Sequence, residues 1–130
     1  LQTVGTLKTT ITQLRKVAAG QTIGYSRKGV LQKDSLIATV KIGYADGYAR
    51  KFGNGVGEML VNGHLAKVVG NVCMDMCMLD VTGITVKEGD EVIVFGEDLT
   101  INFLAAKIDT IPYEILTSIS QRVKRIYYYE

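Results

Sequence analysis

The run Glu58-Met59-Leu60-Val61-Asn62-Gly63-His64-Leu65-Ala66-Lys67-Val68-Val69 reads as a β-hairpin. Two apolar runs, Met59-Leu60-Val61 and Leu65-Ala66-Lys67-Val68, flank Asn62-Gly63. Asn-Gly suits the two positive-φ positions of a type I′ turn, whose twist matches that of two paired antiparallel strands. His64 then sits in solvent beside the turn.

Working outward, further strand patterns are separated by short breaks. Val4–Leu14 alternates Leu7, Thr9 and Ile11 with polar neighbours. Ala18-Ala19-Gly20-Gln21 is a turn, Thr22–Ser26 a short extended piece, and Arg27-Lys28-Gly29 a break. Ser35–Ile42, Val72–Val81, Glu91–Phe95 and Arg122–Tyr129 complete the strands, and Glu88-Gly89-Asp90 turns the chain into Glu91–Phe95. Gly43–Asn54, rich in glycine and in both charge signs, reads as a loop at a barrel rim. Two short helices interrupt the pattern near the C-terminus. Ile101, Leu104, Ala105 and Ile108 recur at helical spacing behind the capping residue Thr100. Pro112 opens the second helix, where its missing N–H costs nothing, and Ile115, Leu116 and Ile119 give that helix an apolar face. The fold class is all-β: a closed or partly open barrel of about seven or eight strands. Several strands carry apolar residues on both faces, which favours a barrel over a sandwich and leaves an outer face that needs cover.

Composition narrows the function. The chain has 130 residues, 47% hydrophobic and 22% charged, with a net charge of +2. That is one domain with one core, and nothing in the charge asks for nucleic acid or a membrane surface. No apolar run is long enough to span a bilayer and no signal peptide precedes the first strand, so the cytoplasm is the expected location. Cys73 and Cys77 read as reduced thiols on a buried strand, and with His64 the only histidine no zinc ligand set is present. Gly53-Asn54-Gly55-Val56-Gly57 lacks the glycine–lysine–hydroxyl order of a P-loop. Tyrosine is the chemistry that remains, with seven copies against three phenylalanines. Tyr25, Tyr44, Tyr48 and Tyr113 lie at loops or element ends. A phenol acts as a base near neutral pH only where positive charge favours the phenolate. Without it, such residues are core or rim packing. Tyr127-Tyr128-Tyr129 reads as a terminal strand with alternating rings or as an interface edge.

Four motifs in order resemble the alanine racemase family. Ile42-Gly43-Tyr44-Ala45-Asp46-Gly47-Tyr48 resembles its glycine-rich signature loop, and Val72-Cys73-Met74-Asp75-Met76-Cys77-Met78 its second signature. Ile111-Pro112-Tyr113-Glu114 resembles the third, followed by Ser120-Gln121-Arg122-Val123 of the terminal strand. Upstream, Ile23-Gly24-Tyr25-Ser26 is similar to the segment that carries the family's catalytic tyrosine. The family has two domains: a TIM-like barrel holding pyridoxal phosphate on a lysine, and a C-terminal β domain that packs against the partner subunit's barrel. The chain resembles only the second, as a single domain over residues 1–130, and a TIM barrel cannot fit in this length.

The resemblance implies a division of labour. Racemisation takes the α-proton from one face of the substrate and returns it to the other, so it needs two bases. One is the cofactor lysine, outside this sequence. The other is Tyr25, acting on L-alanine, its basicity borrowed from charges on the absent barrel because only Arg27 and Lys28 lie near it in sequence. Tyr44 lines the entrance to the active site. Met74 supplies a backbone N–H to the substrate carboxylate, and Asp75 buttresses that contact. Tyr113 binds the cofactor phosphate through its hydroxyl, within its own subunit, whereas Tyr25, Tyr44 and Met74 serve the partner's active site. The implied protein is a cytoplasmic homodimer that supplies D-alanine for peptidoglycan precursors. The β domain alone binds no cofactor and is inactive. Racemisation of another small amino acid such as serine, or a non-catalytic barrel retained for assembly, are the alternatives. Two positions depart from the family's pattern: Asn71 replaces a frequent arginine and Lys124 a frequent proline.

Overall fold

A computed structural model of the chain describes residues 5–23, 29–30, 33–121 and 123–124. Eight strands are seen among them: β1 (Leu7–Val17), β2 (Thr22–Ile23), β3 (Gly29–Val30), β4 (Ser35–Val40), β5 (Glu58–Val61), β6 (His64–Val69), β7 (Cys77–Asp80) and β8 (Glu91–Phe95). Six of them close an antiparallel barrel in the order β1-β4-β7-β6-β5-β8, while β2 and β3 pair as a separate ribbon. Two short helices, α1 (Ile101–Lys107) and α2 (Pro112–Ser118), follow the last strand. The all-β barrel expected from the sequence is therefore the fold, and it is closed.

The hairpin forms as its turn chemistry requires. Asn62 and Gly63 take φ values of 47° and 83°, the paired positive angles of a type I′ turn. Val61 then faces His64 and Met59 faces Ala66, a large residue beside a small one. Met59, Val61, Ala66 and Val68 point inward and are buried, while His64 is exposed.

β1 closes the ring. Leu7, Thr9 and Ile11 are buried between exposed Lys8, Thr10 and Thr12. The leading half pairs with β8, from Leu7 with Phe95 to Thr10 with Glu91. The trailing half pairs with β4, and the register shifts between Ile11 and Gln13. The strand starts later and runs further than the alternation over 4–14 implies. Gly5 and Thr6 are not in it, Val4 lies outside the described residues, and past the bulge β4 supplies ladder partners as far as Val17. A bulge of this kind adds a residue to one strand and turns it, letting one strand serve two neighbours.

The core has two parts. The barrel interior is filled by Ile11, Val40, Met59, Val61, Val68, Leu79 and Val92, with Leu104 and Ile115 of the helices packed against it. Each such side chain contributes roughly 1.5–3 kcal/mol when fully buried. On β4, Ala38 and Val40 face this interior, so Ile37, the residue before Ala38, faces the other way. Ile37 is nonetheless buried, in a smaller cluster with Val17, Val69 and Met78. The apolar residues on both faces thus mark a covered outer patch as well as an inner core.

Both helices begin where expected. Thr100 Oγ1 accepts from Phe103 N–H at 3.2 Å, and Pro112 occupies the first turn of α2. Lys107 of α1 forms a 2.9 Å ion pair with Glu58 of β5, the two side chains only 25% and 15% exposed. This pair fastens the helical segment to the barrel wall. Three other expectations change. The predicted strand over 72–81 is ordered as strand only at Cys77–Asp80, so Cys73 lies in the preceding loop rather than on a strand, although both thiols are free and buried. The predicted strand over 35–42 stops at Val40. Of the predicted strand over 122–129, Val123 and Lys124 are not in a strand and the other residues lie outside the described ones.

Candidate functional site

The loop after β4 is a built structure rather than an open rim. Ile42, Tyr48 and Phe52 turn into the core, and the Tyr48 and Phe52 rings stack with centroids 4.6 Å apart. Burial, then the nearby Cys77 and Glu58, push the Tyr48 phenol well above its ordinary range, so it stays neutral. With those anchors set, residues 44–46 wind into one tight helical turn. Gly43 N–H donates to the Asp46 carboxylate at 3.0 Å, and Asp46 N–H donates to the Gly43 carbonyl at 3.0 Å. Tyr44 is left on the outside, with the Arg50 guanidinium 5.5 Å above its ring.

The segment 72–76 is clamped onto that turn. Cys73 N–H donates to the Met76 carbonyl at 2.9 Å, which folds Met74 and Asp75 into a protruding bend. Tyr44 N–H donates to the Cys73 carbonyl and Ala45 N–H to the Met74 carbonyl, each at 3.0 Å. These contacts explain why the predicted strand is cut short: the carbonyls a ladder would use are taken by the neighbouring loop. They also require Gly43, because a Cβ there would collide with backbone atoms of Cys73 and Met74. Beyond this junction, Asn54 Nδ2 donates to Asn71 Oδ1 at 2.9 Å, holding the following loop to the same segment. The far side of the turn is tied to the end of α2, where Ser120 N–H donates to the Asp46 carbonyl at 3.0 Å.

The structure therefore brings Tyr44 and Met74 together on one surface. Tyr44, Met74 and Met76 are exposed large side chains there. Among the described residues no acceptor meets the Met74 N–H, which leaves a backbone donor on the bend that is bonded to the Tyr44 turn. Asp75 is exposed, so burial does not dictate a partner for it. Tyr113 stands in the first turn of α2, 71% exposed, at the opposite end of that helix from the Ser120 contact. Seven residues of helix separate those ends by roughly 10 Å. Tyr25 lies outside the described residues, between β2 and β3 in sequence. Among the described residues, two open grooves elsewhere, one beside Lys16 and Leu36 and one lined by His64, Lys67 and Asp80, include none of Tyr44, Met74, Asp75 and Tyr113. Among the described residues no cluster of His, Cys, Asp and Glu could hold a metal ion, and no helix is long and apolar enough to cross a membrane.

Two contributors were not foreseen from sequence. The Asp46 carboxylate caps its own turn, and Arg50 covers Tyr44 from six residues away. A carboxylate three residues after a turn's start is the usual signal for the first; the second crosses two turns and carries no local signal.

The fold and the site define a closed antiparallel barrel domain that carries an exposed, loop-built site. The chain belongs to the alanine racemase family, matching the model described as alanine racemase, C-terminal domain, over residues 4–127. It is 41% identical to alanine racemase 1 of Clostridium acetobutylicum over 98% of its length, and 40% identical to the alanine racemase of Helicobacter acinonychis. It spans about a third of the length of these curated relatives, 34% of each. The solved alanine racemase of Bartonella henselae, with covalently bound pyridoxal phosphate, superposes with a TM-score of 0.90 at 36% identity, over 95% of this chain and 34% of that one. The Clostridium difficile 630 alanine racemase in complex with cycloserine gives 0.84 at 41% identity, over 91% of this chain and 32% of that one.

Proposed function

We propose that this chain is the C-terminal domain of a pyridoxal-phosphate-dependent racemase that interconverts L- and D-alanine in the cytoplasm, acting as a homodimer. The observation that carries the reading is the Tyr44–Met74 junction. Two backbone hydrogen bonds of 3.0 Å lock the loops together, with Tyr44 and Met74 both exposed and the Met74 N–H without an acceptor among the described residues. That is the form a substrate-binding edge takes when the pocket is completed by another domain.

In this reading each residue acts on a defined part of the ligand. The Met74 N–H donates to the amino acid's carboxylate, a charge-assisted bond stronger than a neutral one. The Tyr44 ring, braced by Arg50, narrows the entrance and excludes long side chains. Asp75, on the same bend, buttresses the Met74 contact. The exposed Tyr113 hydroxyl is free to donate to a phosphate oxygen, which fits the phosphate group of the cofactor. Pyridoxal phosphate, when bound, stabilises the negative charge left at the α-carbon. Tyr25 accepts the α-proton of L-alanine at its phenolate oxygen and returns it when D-alanine is the substrate. The basic groups that favour its phenolate belong to the barrel domain of the other subunit.

The test is Tyr25→Phe in the full-length protein that carries this domain. Alanine racemisation is expected to fall by at least a thousandfold, while the absorbance of bound cofactor stays as in the wild type. Wild-type turnover in that variant, or a wild-type protein that racemises serine in preference to alanine, would refute the assignment.

A further inference from the structure

We propose that Asp46 is a positioning residue: it sets the distance between the Tyr44 ring and the Met74 N–H, and so how tightly the carboxylate end of the substrate is held. The inference rests on the racemase reading above and extends it to a residue that does not touch substrate. Three hydrogen bonds of Asp46 meet at this turn. Its carboxylate accepts from Gly43 N–H at 3.0 Å, and its own N–H returns a bond to the Gly43 carbonyl at 3.0 Å. Its carbonyl accepts from Ser120 N–H at 3.0 Å, beyond the end of α2.

The consequence follows from geometry. Gly43 is buried, so its N–H has little access to water in place of the carboxylate. The reciprocal pair closes the turn over 44–46, and only a closed turn aims the Tyr44 and Ala45 N–H groups at the Cys73 and Met74 carbonyls together. The Met74 N–H belongs to the bend those carbonyls hold. Loss of the acceptor loosens the bend at its base while Tyr25, the proton-transfer group, is on a different segment. The effect therefore falls on substrate affinity rather than on proton transfer. Toward the Gly43 N–H the position needs an acceptor, and there an asparagine carbonyl oxygen can replace the carboxylate.

The experiment compares Asp46→Ala and Asp46→Asn in the full-length protein that carries this domain, reading KM and kcat for alanine and amide hydrogen exchange at Tyr44 and Ala45. Asp46→Ala is expected to raise KM about tenfold, the worth of one well-aligned bond to a carboxylate, with kcat within about threefold and faster exchange at both amides. Asp46→Asn is expected to stay close to the wild type in all three. An unchanged KM in Asp46→Ala, a fall in kcat alone, or an Asp46→Asn protein as impaired as Asp46→Ala overturns the proposal. If Asp46→Ala does not fold, Asp46→Glu takes its place, because one added methylene misplaces the acceptor; an unchanged KM there overturns it equally. A wild-type protein inactive on alanine sinks the racemase reading instead, and the exchange rates still decide the role of Asp46: unchanged exchange at Tyr44 and Ala45 overturns it, faster exchange supports it.

Discussion

Gly43→Ala adds one carbon to the most crowded point of the loop junction. The new Cβ would fall within the contact radius of the Cys73 carbonyl oxygen and of the Met74 carbonyl carbon and oxygen. These are backbone atoms, so no rotamer change relieves the clash, and they include the acceptors of the bonds from Tyr44 and Ala45 at 3.0 Å. Separating the loops loses two hydrogen bonds worth about 1 kcal/mol each and leaves at least one buried polar group unpaired, at about 1–3 kcal/mol more. The expected destabilisation is about 3–5 kcal/mol. A protein of this size loses roughly 3–4 °C of melting temperature per kcal/mol, so the drop should be about 10 °C or more. Thermal denaturation followed by circular dichroism measures it. Gly5→Ala is the control, because nothing lies within 4 Å of the site of its added carbon. A Gly43→Ala protein that melts within about 2 °C of the wild type would refute the close backbone packing on which the site description depends.

Two further outcomes concern charge. Burial, with the neighbouring Cys73 second, pushes the Cys77 thiol from about 9 up to about 12. The folded state then holds a proton that the unfolded chain releases, so stability declines as pH rises from about 9 to about 12, by about 1.4 kcal/mol per pH unit. Urea midpoints should fall over that window, Tyr48 adding a loss of the same sign above 10, and Cys77→Ala should flatten the profile; equal slopes in the two proteins would contradict this. Lys107→Met strands Glu58, whose side chain is 15% exposed, and should cost about 2 kcal/mol in the same assay, less than for a fully buried pair. Lys8→Met breaks the pair with Glu91, which is half exposed on both sides, and should cost under about 1 kcal/mol; equal losses would show that the Glu58–Lys107 contact is not shielded.

The parts of this fold that were legible in sequence are those whose signal is local. Asn62-Gly63 specifies its turn by backbone angle, Thr100 caps α1 with its own hydroxyl, and Pro112 can stand only where a helix begins. What escaped was decided by distant backbone. In Val72–Val81 the bend carries a single turn-favouring residue, Asp75, with no glycine, proline or asparagine beside it, so the apolar run still reads as a strand. The bend forms because a loop some thirty residues earlier captures the Cys73 and Met74 carbonyls. Likewise β1 runs on through Arg15 and Lys16 because β4 offers a ladder, not because its own pattern continues. The candidate site shows the same division. Tyrosines at loop positions were visible, but that Tyr44 would meet Met74 was carried by family resemblance, since a contact made through N–H and C=O leaves almost no trace in side-chain identity. Gly43 is that trace.

The double pairing of β1 also dictates an order of events. Its leading half has no neighbour until Glu91–Phe95 exists to lie beside it, so the ring cannot shut before those residues have been made. Contacts of such long sequence separation form slowly because chain closure must precede the reward. Until then the first and fifth strands show bare hydrogen-bonding edges, the surface on which unfinished β-proteins stick to one another. A chain truncated shortly after Val81 keeps both of those edges unpaired, whereas one that includes Glu91–Phe95 has the strand that covers them.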